Sequence, residues 1–132
     1  MKLAAIDIGL KRIGIAICLT NNIVTPQPAI LRKNRNQASR DTLAVLKEWE
    51  IDSLIVGFPQ SSEEMQRRIK HFLTLLEFDG EIIYQNEDMS SIEAEEITKG
   101  KIKHKRDGRI DSIAAKIILE RYLLKVKNEE LK

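Results

Sequence analysis

The chain has 132 residues, 42% of them hydrophobic and 32% charged, a length that suits one domain able to bury a core without disulfides or a structural metal. No apolar run is long enough to cross a bilayer, and the acid in Met1-Lys2-Leu3-Ala4-Ala5-Ile6-Asp7 arrives too early for a secretory signal. A net charge of +2 is too mild to mark a nucleic-acid binder by itself, so the distribution of charge carries more than its sum.

Residues 3–8 form an apolar run closed by Gly9, and residues 13–19 form another. The pair predicts a hairpin turning through Leu10-Lys11-Arg12, with Asp7 near the tip of a buried strand. Cys18 lies in the second run with no second cysteine to pair with, which reads as a small buried hydrophobe in a protein of a reducing, cytoplasmic compartment. A third strand over 23–31 belongs at a sheet edge, because Pro26 and Pro28 cannot donate to a central ladder.

From 36 to 50 the apolar residues Leu43, Leu46 and Trp49, with Ala38 and Val45 beside them, recur at helical spacing, and Trp49 reads as a core anchor. Residues 52–59 are continuously apolar up to Gly57-Phe58-Pro59, the pattern of a strand covered on both faces. Ser61-Ser62-Glu63-Glu64 then predicts a capped helix to about 77, with Ile69, Phe72, Leu73 and Leu76 on one stripe and Asp79-Gly80 at its end.

A further strand covers 81–85, and Ser90-Ser91-Ile92-Glu93 caps a short helix through 97 that stops near Gly100. A last helix carries Ile110, Ile113, Ala114, Ile117, Ile118, Tyr122 and Leu123 on its buried side, and the polar tail 125–132 is expected to fray. The order β-β-β-α-β-α-β-α-α predicts a single α/β domain over 1–132, a five-stranded mixed sheet flanked by helices on both faces.

Positive charge concentrates at Lys99, Lys101, Lys103, Lys105, Arg106 and Arg109, with His104 among them and only Asp107 opposing. Smaller groups are Lys11-Arg12, then Arg32-Lys33 with Arg35 and Arg40, then Arg67-Arg68 with Lys70. Any one of these is explained by a solvated loop, but together with nearby acids they suggest a polyanionic partner. His71, beside Phe72 in a helix, reads as structural, and His104 as solvent-exposed.

Three acids stand where regular elements end or begin: Asp7, Glu87 and Asp111. Carboxylates far apart in sequence that converge in space are what a phosphodiester-cleaving site built on Mg²⁺ or Mn²⁺ requires, since hard cations take oxygen ligands. Asp111 has a second explanation as a favourable acid in the first turn of a helix. Asp7 has less room for one, because an acid following Leu3-Ala4-Ala5-Ile6 destabilises the fold if buried without a partner.

Asp7-Ile8-Gly9 through Lys11-Arg12-Ile13-Gly14-Ile15-Ala16, Val56-Gly57-Phe58-Pro59, Glu87 before Ser90-Ser91, and Ile110-Asp111-Ser112-Ile113-Ala114-Ala115 together resemble the YqgF family. That group is known as RuvX-type Holliday junction resolvases of ribonuclease-H-like fold, and also as nucleases maturing the 5′ end of 16S ribosomal RNA. The resemblance covers nearly the whole chain. It implies a metal-dependent endonuclease with Asp7, Glu87 and Asp111 as catalytic metal ligands, Mg²⁺ or Mn²⁺ as cofactor, and Lys11 and Arg12 on phosphate. The basic residues Lys101, Lys103, Lys105, Arg106 and Arg109 extend the expected nucleic-acid surface.

Ribosomal RNA processing is the favoured role, because no helix shows the second apolar stripe that a large resolvase dimer interface needs. The expected partners are therefore an rRNA precursor or branched DNA, with the ribosome as a further one and no membrane, for a monomer or weak homodimer. Asn86-Glu87-Asp88 stands where the family commonly has Asp-Glu-Arg, which keeps open a binding factor with impaired catalysis. The glycine pattern of Asp7 to Ala16 is also similar to the first phosphate loop of actin and sugar-kinase ATPases, but those enzymes close two such domains around ATP and 132 residues supply one.

Overall fold

A computed structural model describes residues 1–20, 22–86 and 109–130, without the side chains of Arg109, Ile110 and Glu130. Five strands, β1 (Leu3–Ile8), β2 (Arg12–Cys18), β3 (Val24–Leu31), β4 (Ser53–Phe58) and β5 (Glu81–Asn86), form one sheet in the order β3-β2-β1-β4-β5. The first three run antiparallel, while β4 lies parallel to β1 and β5 parallel to β4. Helices α1 (Arg35–Glu48), α2 (Glu63–Leu76) and α3 (Arg109–Glu130) complete the described elements.

Strand alternation sorts the core. Ala4, Ile6 and Ile8 of β1, Ile13, Ile15 and Ile17 of β2, and Leu54 and Val56 of β4 face α1 and α2, where Leu46, Ile69, Phe72 and Leu76 meet them. Leu3, Ala5, Ala16, Cys18 and Ile55 face the other way, onto Ala115, Ile118 and Leu119 of α3. Helices on both faces explain why β1 and β4 read as unbroken apolar runs.

The stripe of α2 is the one its spacing predicts: Ile69, Phe72, Leu73 and Leu76 are buried, and the Ser62 hydroxyl accepts from the Met65 amide at the start. The helix ends where expected, with Leu76 its last residue and Glu77 turning into the left-handed region at φ 53° as its cap. In α1 the buried residues include Ser39 and Thr42, whose hydroxyls donate back to the Asn36 and Ala38 carbonyls, and Trp49 is a half-buried flank of the core. The tail expected to fray from 125 is helical up to Glu130, the last described residue. The short helix expected over 90–97 lies outside the described residues.

Candidate active site

Asp7 projects from β1 on the α3 side of the sheet and is only 8% exposed. Across the hairpin its partner in register is Gly14. The hairpin closes tightly, with the Gly9 amide donating to the Arg12 carbonyl at 2.9 Å, and a Cβ on Gly9 would stand 2.7 Å from that same oxygen.

Gly14 is the seat of α3. A Cβ built there would overlap the backbone carbonyl of Asp111 and reach 2.9 Å from the Ser112 nitrogen, so only glycine lets the first turn of α3 press onto β2 at this point. One glycine therefore brings together Asp7, its neighbour in the sheet, and Asp111, whose backbone rests on it. Asp111 is half-buried, lies in the first turn of α3, and like Asp7 and Arg12 is engaged in a polar or electrostatic interaction.

Ser112 secures the contact. Its hydroxyl donates to the Gln27 carbonyl at 2.6 Å and accepts from the Ile15 amide at 3.4 Å, bridging β2 and β3 where their ladder is interrupted. Ile13 pairs with Ile30 but Ile15 with Gln27, so Pro28 and Ala29 oppose Gly14 alone. This is a β-bulge, a device that re-aims side chains beside functional sites. Because α3 is anchored by a side chain at the bulge, the position of Asp111 relative to Asp7 is set by the sheet itself.

The parallel arrangement of β1, β4 and β5 brings their C-terminal ends to the same rim. Ile6, Val56 and Tyr84 share one row, and Asn86 ends β5 opposite Phe58. Glu87 follows Asn86 in sequence and lies outside the described residues, as do Lys101, Lys103, Lys105 and Arg106. Arg109 opens α3. Lys11 is exposed at the hairpin tip, and Arg12 is half-buried at the first position of β2.

Among the described residues no group of three His, Cys, Asp or Glu side chains is placed to hold a metal ion, so Asp7 and Asp111 are the part of the expected triad that the structure describes. The sequence reading missed the roles of Gly14 and Ser112. The available signal for Ser112 was a polar residue inside a stripe of buried positions.

A family model described as RuvX, Holliday junction resolvase, matches residues 1–125. A protein of Sulfurovum sp. (strain NBC37-1), named "Putative pre-16S rRNA nuclease", is 65% identical over 93% of this chain and 98% of its own length. A protein of Helicobacter pylori (strain ATCC 700392 / 26695) with the same name is 54% identical over 92% of this chain and 95% of its own.

Among solved structures, T. thermophilus RuvC in complex with Holliday junction substrate is similar at TM-score 0.60 and 13% identity, covering 96% of both chains. The Fowlpox virus Holliday junction resolvase is similar at TM-score 0.57 and 17% identity, covering 96% of this chain and 99% of that one. These two likenesses carry the ribonuclease-H-like fold expected from the motifs. With its first 125 residues matched end to end and close relatives over nearly its full length, the chain belongs to the RuvX family.

Proposed function

We propose that this protein is a metal-dependent endonuclease that matures the 5′ end of the 16S ribosomal RNA precursor. The observation that carries the reading is the convergence of a buried Asp7 and the Asp111 turn on Gly14. The names borne by the Sulfurovum and Helicobacter relatives supply the substrate.

Two carboxylates anchored on one rigid contact suit a hard divalent cation, and the donor set fits Mg²⁺ or Mn²⁺ better than a thiolate- or imidazole-binding metal. Asp7 and Asp111 would hold the ion, with Glu87, next after β5, as the third ligand. When bound, it supplies neutralisation of the charge that develops on the scissile phosphate and activation of the attacking water. Ser112, fixed on Gln27 and Ile15, keeps the Asp111 turn in place against β2. Lys11 and Arg12, on the turn that follows Asp7, would hold phosphates of the bound strand, the arginine through its planar fork. Lys101, Lys103, Lys105, Arg106 and Arg109 would add sequence-independent affinity for the backbone.

The test is incubation of the wild type and Asp7→Asn with a 16S precursor fragment and, separately, a four-way DNA junction, each with Mg²⁺, Mn²⁺ or chelator. The expected result is metal-dependent cutting of the RNA by the wild type, reduced at least about 100-fold in the variant. A second reading, junction resolution, is favoured by the family description and by the fold shared with RuvC; cutting of the junction with the RNA left intact would establish it instead. Binding of both substrates with cutting of neither would overturn the enzymatic reading in favour of a binding factor.

A further inference from the structure

On the face of the sheet opposite Asp7, a cleft of about 580 Å³ opens between the hairpin tip, the β3–α1 junction and α2. Its lining gathers Arg32, Lys33, Arg35, Arg67, Arg68 and His71, with Leu10 and Phe72 as apolar walls. Two basic groups that are separate in sequence thus become one positive surface. Among the described residues the only ion pair these cations make is Arg68 with Glu64 at 2.8 Å, an exposed contact within one helix.

Four features show cations held close together in spite of their mutual repulsion, two as contacts that fix them and two as marks of the repulsion itself. Arg32 is fixed from below: its guanidinium donates to the Gly9 carbonyl at 2.9 Å and lies 5.7 Å from the centre of the Phe72 ring. Burial, then the charges of Arg35 and Arg68, pull its pKa down, the direction expected of a cation surrounded by cations. Arg35 is the first residue of α1, whose first turn carries no acid, so its charge opposes the helix dipole. Finally, Arg35 Nη1 lies 3.2 Å from His71 Nε2, which places both side chains along the same wall. An anion in the cleft would offset the repulsion among these cations and the unfavourable charge at the start of α1.

We propose that this cleft binds the phosphate backbone of the nucleic-acid strand, as a second contact beyond the carboxylate centre. The volume is in the range of sites that enclose a ligand much larger than one phosphate ion. The route to the carboxylates is short: Leu10 lines the cleft, Gly9 accepts from Arg32, and Asp7 precedes Gly9 by two residues. A strand crossing the hairpin tip, past Lys11, reaches both faces of the sheet. The proposal rests on the nuclease reading for its substrate but not for its test.

The experiment measures binding of a labelled single-stranded RNA to the full chain in chelator, so that no cutting occurs, across a salt series. Arg35→Gln/Arg67→Gln is compared with the wild type, and Lys47→Gln/Lys125→Gln serves as a control of equal charge away from the cleft. Both substituted arginines are exposed, and Arg67→Gln alone is the second variant should the double change perturb folding. The cleft double variant is expected to bind tenfold or more weakly, with the slope of log affinity against log salt smaller by about 1.4, while the control changes little; Arg67→Gln alone should reduce the slope by about 0.7.

Equal affinity and slope in the cleft variant and the wild type overturn the proposal, whatever the cleavage assay shows. So does RNA binding untouched by the substitutions when inorganic phosphate or a mononucleotide protects only the wild type from thermal unfolding, a result that assigns the cleft to a small phosphate ligand. RNA binding that depends on the cleft, in a protein that cuts no substrate, supports the cleft and overturns the nuclease reading alone.

Discussion

The backbone of Asp111 lies directly on the α-carbon of Gly14, leaving no room for a methyl group between the last helix and the second strand. Gly14→Ala must therefore displace α3 or bend β2. Overpacking of this kind costs about 1–3 kcal/mol, or roughly 3–12 °C in Tm for a chain of this size. Activity is expected to fall well beyond what the lost stability explains, because the carboxylates separate. Thermal melts beside cleavage rates at a temperature where the variant is folded check both parts.

Ser112→Ala removes the group that fills the gap in the β2–β3 ladder. The Gln27 carbonyl and Ile15 amide each lose a partner, and a destabilisation of about 1–3 kcal/mol follows. Urea unfolding should show it as a lower midpoint with an unchanged slope. A midpoint equal to the wild type would mean that water replaces the hydroxyl.

Asn34→Ala dissolves a reciprocal cap. The Asn34 side chain accepts from the Gln37 amide at 2.8 Å, and the Gln37 side chain accepts from the Lys33 and Asn34 amides. The expected loss is about 1 kcal/mol, read by chemical denaturation.

Cys18 is 4% exposed, and burial lifts its thiol above the ordinary value of 9.0, outweighing the opposing effects of the Asn22 backbone and the Met1 ammonium. The folded state thus holds this proton to a higher pH than the unfolded chain does. The contribution is fully present below pH 9.0 and is lost as pH rises through the folded value. Stability of the wild type should fall more steeply above that pH than stability of Cys18→Ala. At neutral pH iodoacetamide should modify the thiol only after denaturant is added.

Much of the sheet was legible because its strands carry simple local patterns, unbroken apolar runs where helices cover both faces and prolines at the outer strand. The buried runs around Asp7 and Val56, the prolines of β3 and the stripe of α2 each carry a local pattern that burial then satisfies. Ser39 and Thr42 broke the pattern of α1 because their hydroxyls are satisfied by their own helix, which makes a polar residue compatible with the core. The polar end of α3 misled in the opposite sense, since backbone hydrogen bonding carries the helix past its last buried residues.

Of the candidate site, Asp7 could be named from its apolar surroundings, but its relation to Asp111 could not. That relation depends on Gly14 and on a hydroxyl bonded to a strand 85 residues away, and no local pattern encodes such a contact. The cleft was invisible for the same reason: Arg32 and Arg35 lie at the β3–α1 junction and Arg67 and Arg68 in α2, far along the chain, and only the packing of α1 beside α2 makes them neighbours.

The outer strand has a consequence for self-association. Pro26 and Pro28 both lie in this strand, and neither has an amide hydrogen to offer a ladder. Two positions of β3 thus contribute no donor to a sheet extended along this strand. The bulged segment that holds the last helix in place is therefore also a poor template for edge-to-edge pairing.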